Sequence, residues 1–311
     1  MKKEQYEVLY QRWLKRNKNK SFWTKELAEE FSAPSSEALR SALRRYRRLL
    51  ELKDTETKGV KILLFDIETS PINALVWGLW DQNINIEAIL QDWHIISWSA
   101  KWLFEDNLMS DVLTPKEAKN HDDERVVKSI WELLNQADIA VAHNGNRFDH
   151  KMLNTRFLYH NLPPLSHYKS IDTLAVAKNT FRFSSNRLDY INQYLGIAEK
   201  SHAEFDLWKR AFLGEKDALE KIREYNENDT FILEELFLKL RPYIKNFPNL
   251  NLYTEEETTV CRNCGCKDLK WGGYYYTNVS RYKGWRCNNC GAIGRDRYSD
   301  LSPEKRKTIV A

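Results

Sequence analysis

The sequence of 311 residues is 42% apolar, enough to bury the core of one medium catalytic domain and leave length for one or two small modules. No stretch reaches the ~18 apolar residues of a membrane span, the opening MKKEQYEVLYQRW lacks the apolar centre of a signal peptide, and five cysteines are too few for a disulfide scaffold, so a reducing cytoplasm is the expected compartment. The net charge of +4 is unevenly spread: residues 1–58 carry 15 Lys and Arg against 9 Asp and Glu, residues 59–254 carry 22 against 28, and residues 255–311 carry 11 against 7.

Basic ends on an acidic middle suit polyanion-binding arms around a core with carboxylates available for metal. Residues 1–52 read as helical. EQYEVLYQRWLKR forms a first helix; TKELAEEF forms a short second one, with Thr24 as N-cap and Leu27, Ala28 and Phe31 inward. SSEALRSALRRYRRLLEL forms a third, with Leu39, Leu43, Tyr46, Leu49 and Leu50 on one arc and Arg40, Arg44, Arg47 and Arg48 on another. Two short helices before a basic amphipathic one resemble a helix-turn-helix, whose last helix would enter the major groove. A solvated basic face on a small bundle is the other reading of the same arginines.

The polar stretch DTETKG at 54–59 ends this part, so a first domain is expected over 1–57. Residues 60–246 alternate strand and helix patterns. Strands are expected at 60–68, 93–104 and 138–143, with weaker ones at 76–80 and 108–113. Helices are expected at 122–136, 149–160, 172–178, 186–195 and 215–241. Strands first and helices mixed in later indicate an α/β domain with a mixed sheet. A proline-containing acidic stretch at 242–259 then leads to a third module at 255–300.

Three segments of the middle carry acids that need a reason. In KILLFDIETS, strand alternation puts Asp66 and Glu68 on one face and Phe65 and Ile67 on the other. Two acids at the end of so apolar a strand are costly unless neutralised, and a divalent cation does this as well as solvent at a strand end. In ADIAVAHNGNRFDHKML a buried strand runs into a turn, and Asp149 opens the next helix, where capping alone would explain it. In EKDALEKIREYNENDTFILEELFLKL, Tyr225 and Asp229 fall one turn apart in the apolar stripe of Ile222, Leu233, Leu236 and Leu240. A carboxylate there needs a partner, either a Lys or Arg or a metal ion. Asp172 reads as an N-cap, and His94 and His143 as structural strand residues.

Together these segments resemble the DEDD superfamily of 3′–5′ exonucleases, the DnaQ-like group of the ribonuclease H-like fold. The motif D-x-E is Asp66 and Glu68, N-x-x-x-F-D is Asn144, Phe148 and Asp149, and Y-x-x-x-D is Tyr225 and Asp229. The histidine subclass would need His at 224, which is Glu, so the chain resembles the tyrosine subclass (DEDDy), and its wider arrangement resembles the YprB-like nucleases. The resemblance implies hydrolysis of phosphodiester bonds by two Mg²⁺ or Mn²⁺ ions. Asp66 would bridge both ions, Glu68 and Asp229 would complete the site of the attacking water, and Asp149 would serve the other ion. Tyr225 would aim the water, its phenol being too weak an acid for general-base work. Thr69 would lie beside the terminal nucleotide, and Asn144 would steady the strand end or the substrate.

The five cysteines all fall between 261 and 290. Cys261 and Cys264, and Cys287 and Cys290, form two C-x-x-C knuckles 22 residues apart, each followed by glycine. Two such turns supply four thiolates to one tetrahedral Zn²⁺, and the pattern resembles a zinc ribbon. Cys266 is left over as a free thiol. Between the knuckles, Trp271, Tyr274, Tyr275, Tyr276, Tyr282 and Trp285 interleave with cations including Arg281 and Lys283, a mixture that suits base stacking and phosphate neutralisation. A small ribbon that uses its aromatics as a core, or docks a protein partner, is the other reading.

The function expected is thus a metal-dependent 3′–5′ exonuclease acting on nucleic acid, DNA favoured over RNA, with no membrane partner. A DNA-binding regulator or scaffold with an inert nuclease core is the alternative from another class, and a ribonuclease the alternative substrate. An inert core would be free to lose an acid or the tyrosine, and none is missing.

Overall fold

The computed structural model describes residues 3–15, 24–33, 39, 43, 46, 59–197, 204–255 and 257–310. The chain divides into two compact units, Gly59–Thr254 and, in the other, Met1–Lys58 with Glu255–Ala311. Arg40, Arg44, Arg47 and Arg48, and most of the third helix expected around them, lie outside the described residues.

At the N-terminal end, α1 (Lys3–Lys15) and α2 (Lys25–Glu30) are short amphipathic helices. Thr24 caps α2 as expected, its side chain accepting from the Leu27 N–H at 3.2 Å. Leu9, Trp13 and Phe31 pack with Leu39 and Leu43 in a small core.

The unit Gly59–Thr254 is built on a mixed sheet in the order β5-β4-β1-β6-β7. Its strands are β1 (Ile62–Thr69), β4 (Ile95–Trp102), β5 (Leu108–Val112), β6 (Ile139–Ala142) and β7 (Lys169–Asp172). A two-stranded pair, β2 (Asn73–Ala74) and β3 (Ile89–Gln91), lies between β1 and β4 in the chain. β1 is central because its run of ILLF is apolar on both faces, and such a strand is stable only with neighbours on both edges. It pairs antiparallel with β4 and parallel with β6. β4–β5 is antiparallel and β6–β7 parallel.

The helices are α3 (Pro115–Asn120), α4 (Glu124–Leu134), α5 (Asp149–Tyr159), α6 (Thr173–Thr180), α7 (Leu188–Tyr194), α8 (Phe205–Phe212) and α9 (Lys216–Leu240). One face of the sheet is covered by α4, where the Trp98 indole N–H donates to Ser129 Oγ at 3.0 Å. The other face is crossed by α9, which packs on β1, β4 and β5. Phe65 and Ile67 are buried in the main core, while Asp66 and Glu68 face α9.

The structure differs from expectation at several elements. No strand forms at 76–80; the local pairing there is β2 with β3, and Trp77, Leu79 and Trp80 are exposed. An apolar run reads as a strand, but this one pairs with neither edge strand of the sheet, β5 or β7. α3, α8 and β7 fall outside the expected elements. α3 carries a full capping box, Thr114 with Glu117, and a proline in its first turn, a signature legible in the sequence. β7 has only four residues, two of them exposed, and so shows no apolar alternation.

In the C-terminal stretch, β8 (Leu269–Tyr276), β9 (Arg281–Cys287) and β10 (Ile293–Arg295) form an antiparallel sheet in the order β10-β9-β8. Trp285 and the cysteines make its core, and Trp285 lies so close against Gly294 that a Cβ there would meet the indole at 2.1 Å. Among the described residues no helix is long and apolar enough to cross a membrane.

Candidate active site

Asp66 and Glu68 sit opposite Ser99 and Ser97 in the β1–β4 register, so all four side chains share the face under α9. The strand bulges immediately after Glu68, between Glu68 and Thr69. α9 brings Asp229 to the same place. Carboxylate oxygens of Asp66, Glu68 and Asp229 all lie within 4.8 Å of one another. Asp149, the first residue of α5, stands beside this trio; it is 1% exposed, and its Oδ1 is buried with no hydrogen-bond partner.

Like charges this close raise one another's pKa, and burial adds to it. Burial, then the charges of Asp149, Glu68 and Asp229, hold Asp66 well above the ordinary carboxylate range, against the opposing hydrogen bond from Asn226. Glu68 is pushed up to about 8 by burial and by Asp229, with the Trp208 N–H opposing. Burial raises Asp149 to about 7, against backbone hydrogen bonds from its own N–H and that of Ile67. Asp229 rises to about 6, mainly through burial. The charged neighbours that weigh most on the four are all carboxylates, so a Lys or Arg partner for Asp229 is not what the structure provides. Burial and the charges of Asp229, Glu68 and Asp66 push the Tyr225 phenol above its ordinary value, so it stays protonated and can only donate or orient.

Several side chains that sequence reasoning missed hold this cluster. The Asn226 amide donates to Asp66 Oδ2 at 2.7 Å, and Ser97 Oγ donates to Asn226 Oδ1 at 3.3 Å. Ser99 Oγ donates to the Asn226 backbone carbonyl at 2.7 Å and meets Thr230 Oγ1. Further along the seam, Lys101 Nζ pairs with Glu234 Oε2 at 2.5 Å. The most deeply buried polar positions of α9 are thus Asn226, Thr230 and Glu234, and Tyr225 and Asp229 lie at the half-buried edge of the stripe. The polar alternation Ser97, Ser99, Lys101 on an otherwise apolar strand was the signal for this seam. Trp208 on α8 donates its indole N–H to Glu68 Oε2 at 3.2 Å and meets the Tyr225 ring edge-on, centroids 5.8 Å apart.

The turn between β6 and α5 is fixed from β7. Asp172 caps α6, its Oδ1 accepting from the Leu174 and Ala175 N–H groups. The same carboxylate accepts from the backbone N–H of Asn144 at 3.0 Å and of Asn146 at 3.3 Å. It is therefore a cap and also the clasp that sets where Asp149 begins its helix. Asn144 has φ +74, and a Cβ on Gly145 would come within 2.7 Å of Ala142 Cβ, so the turn tolerates little besides N-G. His143 bonds Thr173 Oγ1 and the Asn186 carbonyl, both at 2.9 Å, and His94 bonds Ser70 Oγ at 2.9 Å.

Two cavities flank the carboxylates. One, of about 420 Å³, is lined by Thr69, Ser70, Pro71, Phe205 and Trp208. The other, of about 590 Å³, includes Asn144, Tyr225 and Asp229 in its wall.

The cysteine cluster lies in the other unit. Cys261 Sγ is 3.6 Å from Cys290 Sγ, and Cys264 Sγ is 3.7 Å from Cys287 Sγ. Four thiolates about 2.3 Å from one Zn²⁺ would stand about 3.8 Å apart, so the four fit that ion. In each knuckle the following glycine has positive φ and its N–H returns to the first cysteine's carbonyl. Cys266 is outside the quartet, and its Sγ accepts from the Asp268 N–H at 3.4 Å. Arg281 lies 4.3 Å over the Tyr274 ring and pairs with Asp300 at 2.8 Å, while Lys283, opposite Tyr274, is exposed. Trp285 belongs to the ribbon core, whereas Trp271, Tyr274, Tyr275 and Tyr276 are exposed.

A central strand bearing two carboxylates, two antiparallel and two parallel pairings in one mixed sheet, and a long helix returning with a further acid define a ribonuclease H-like α/β protein. The chain belongs to the RNase H superfamily, whose profile matches residues 84–241, a span that includes Asp149, Tyr225 and Asp229 and begins after β1. It is also 25% identical over 252 residues to a DNA polymerase III PolC-type of Ureaplasma parvum serovar 3, an alignment covering 74% of this chain and 16% of that relative. Among solved structures, a family B DNA polymerase from the archaeon Pyrobaculum calidifontis aligns with 59% of this chain and 25% of its own, at 15% identity and a TM-score of 0.43.

Proposed function

We propose that the chain is a metal-dependent nuclease, specifically a 3′–5′ exonuclease of the DEDDy type that hydrolyses phosphodiester bonds with two divalent ions. The observation that carries this is the convergence of Asp66, Glu68 and Asp229 within 4.8 Å, with buried Asp149 beside them and no basic partner prominent among their neighbours. Burying uncompensated carboxylates costs several kcal/mol each, which a bound cation offsets. Bound there, Mg²⁺ or Mn²⁺ would polarise the phosphodiester and supply an activated water.

The chain's own residues do the rest. Asn226 and Trp208 fix the rotamers of Asp66 and Glu68, so the ligand oxygens are pre-positioned. Tyr225 keeps its proton and orients the attacking water by hydrogen bonding. Thr69, in the wall of the smaller cavity, borders the terminal nucleotide, and Asn144, in the wall of the larger, steadies the strand end or the substrate. A four-cysteine zinc ribbon at 255–300 and a helix-turn-helix-like arm at 1–57 hold nucleic acid, DNA favoured, through Arg281 and Lys283 and through Arg40, Arg44, Arg47 and Arg48. The exposed aromatic face of β8 equally suits a protein partner.

The test is digestion of end-labelled single-stranded and duplex DNA and RNA with Mg²⁺ or Mn²⁺. Wild type should shorten strands from the 3′ end, and Asp66→Ala or Asp229→Ala should lower the rate by at least about three orders of magnitude with the fold retained. Tyr225→Phe should be milder, since the ring still packs on Trp208. Near-wild-type activity in purified Asp66→Ala would sink the assignment.

A further inference from the structure

The cavity of about 590 Å³ beside Asp229 has walls that the four acids do not explain. Two cations line it: Lys178, in the last turn of α6, and Arg187, immediately before α7. Both are exposed, and neither has an ion pair among the described residues. Arg125 pairs with Asp111 and Glu117, Arg156 with Asp123, and Arg210 with Glu215 and Asp217, while Arg147 and Arg182 are exposed like Arg187 but do not line this cavity.

The wall that carries the two cations is held in place. His143, at the end of β6, joins the Asn186 carbonyl to the Thr173 hydroxyl at 2.9 Å each, tying the segment before Arg187 to the sheet edge. Asp189 is an acidic member of the same lining, its Oδ1 taken by the Tyr190 N–H at 2.7 Å. Setting aside Asp229, which belongs to the carboxylate cluster, the lining carries two positive charges against one negative. With the terminal nucleotide placed on the Thr69 side of the carboxylates, the cavity next to Asp229 and Tyr225 is the space on the other side for the adjoining strand.

We propose that Lys178 and Arg187 form a subsite for the backbone phosphodiesters of the strand adjoining the reacting linkage, so that the site takes an oligonucleotide chain in preference to an isolated phosphate ester. This rests on the nuclease reading and names the substrate class of the same site. Phosphate neutralisation by Lys and Arg releases counterions, so the subsite has a salt signature.

The experiment compares wild type with Lys178→Gln, Arg187→Gln and the double variant on two substrates, a single-stranded oligonucleotide and the p-nitrophenyl ester of thymidine 5′-monophosphate, which has no adjoining phosphodiester. The double variant should raise KM for the oligonucleotide about tenfold with kcat nearly unchanged, and make the slope of log K against log salt shallower by about 1.4, from ~0.7 per neutralised phosphate. KM for the ester and inhibition by thymidine 5′-monophosphate should not move. An equal KM rise on both substrates, weakened inhibition by the monophosphate, or no change on the oligonucleotide would overturn the subsite. If wild type hydrolyses neither substrate, the nuclease reading itself fails. Anisotropy of the labelled oligonucleotide in EDTA then still decides the subsite: a weaker Kd with a shallower slope in the double variant supports it, and equal Kd and slope refute it.

Discussion

Single side chains decide whether the carboxylate cluster is charged, and Glu68 offers the clearest handle. Its folded pKa is about 8 through burial and the neighbouring Asp229, against ~4.3 for an unperturbed Glu. The folded state therefore binds this proton more tightly than the unfolded chain. Its favourable contribution is complete below the unfolded value and is lost as pH rises through the folded one. In EDTA, wild type should lose stability relative to Glu68→Gln between pH ~4.3 and pH ~8, and the Gln side chain can still accept from Trp208. Magnesium should reverse the ranking at pH ~8, where the deprotonated cluster is the metal-binding form. Thermal melts of both proteins across that range, with and without Mg²⁺, check this. Parallel curves in EDTA would mean that Glu68 is solvated and ordinary. Comparing the variant with wild type is necessary because His94, held down to about 4 by burial, pulls overall stability the other way on the acid side.

Elements set the geometry of both candidate metal sites, and they do so differently. The carboxylate site draws on β1, α5, α8 and α9, elements anchored through the sheet core. Residues 261–295 form a sheet whose core among the described residues is Trp285, Ala292 and cysteines, aided by partly buried Leu269. A core that small gives little folding energy without a staple. Purified protein dialysed against metal-free buffer should therefore retain about one zinc per chain by elemental analysis. Cys287→Ser should lose the zinc and the local fold, seen as loss of amide protection in β8 and β9, while β1 and β4 stay protected. Full zinc occupancy in a Cys261→Ser, Cys287→Ser double variant would rule these ligands out.

At the scale of the whole molecule, charge is the organising quantity. An acidic middle of 22 basic against 28 acidic residues meets a polyanion unfavourably, and the flanking stretches offset this with 15 against 9 and 11 against 7. Replacing Arg40, Arg44, Arg47 and Arg48 with glutamine in the full-length protein should raise Kd for duplex DNA. It should also flatten the log K against log salt slope by ~0.9 for each phosphate that is no longer neutralised. Single-turnover cleavage at saturating substrate should hardly change, because the proposed chemistry uses Asp66, Glu68, Asp149, Tyr225 and Asp229, all of the middle stretch. The slope of the quadruple variant beside wild type is the measurement, with a deletion of residues 1–57 in parallel. An unchanged slope would leave the arginine arc as a solvated face.

What the sequence determined by itself is whatever depends on short spacing. Strand alternation put Asp66 and Glu68 on one face, helical spacing put Tyr225 and Asp229 one turn apart, and the paired C-x-x-C turns marked out their four thiols. The α/β sheet followed from the strongly apolar strands, and the misplaced strand at 76–80 shows the limit, since periodicity cannot see whether a segment is brought to a partner strand. Tertiary structure alone decided which groups meet. Asn226 reaches Asp66 across 160 residues of sequence and Trp208 reaches Glu68 across 140. The same holds for the double use of Asp172 and for the cations beside Asp229, because these meetings are created by a helix crossing a sheet and by two parallel strands lying side by side. Local pattern fixes the direction of a side chain along its own element, while the partner it finds there is fixed by packing of elements far apart in the chain.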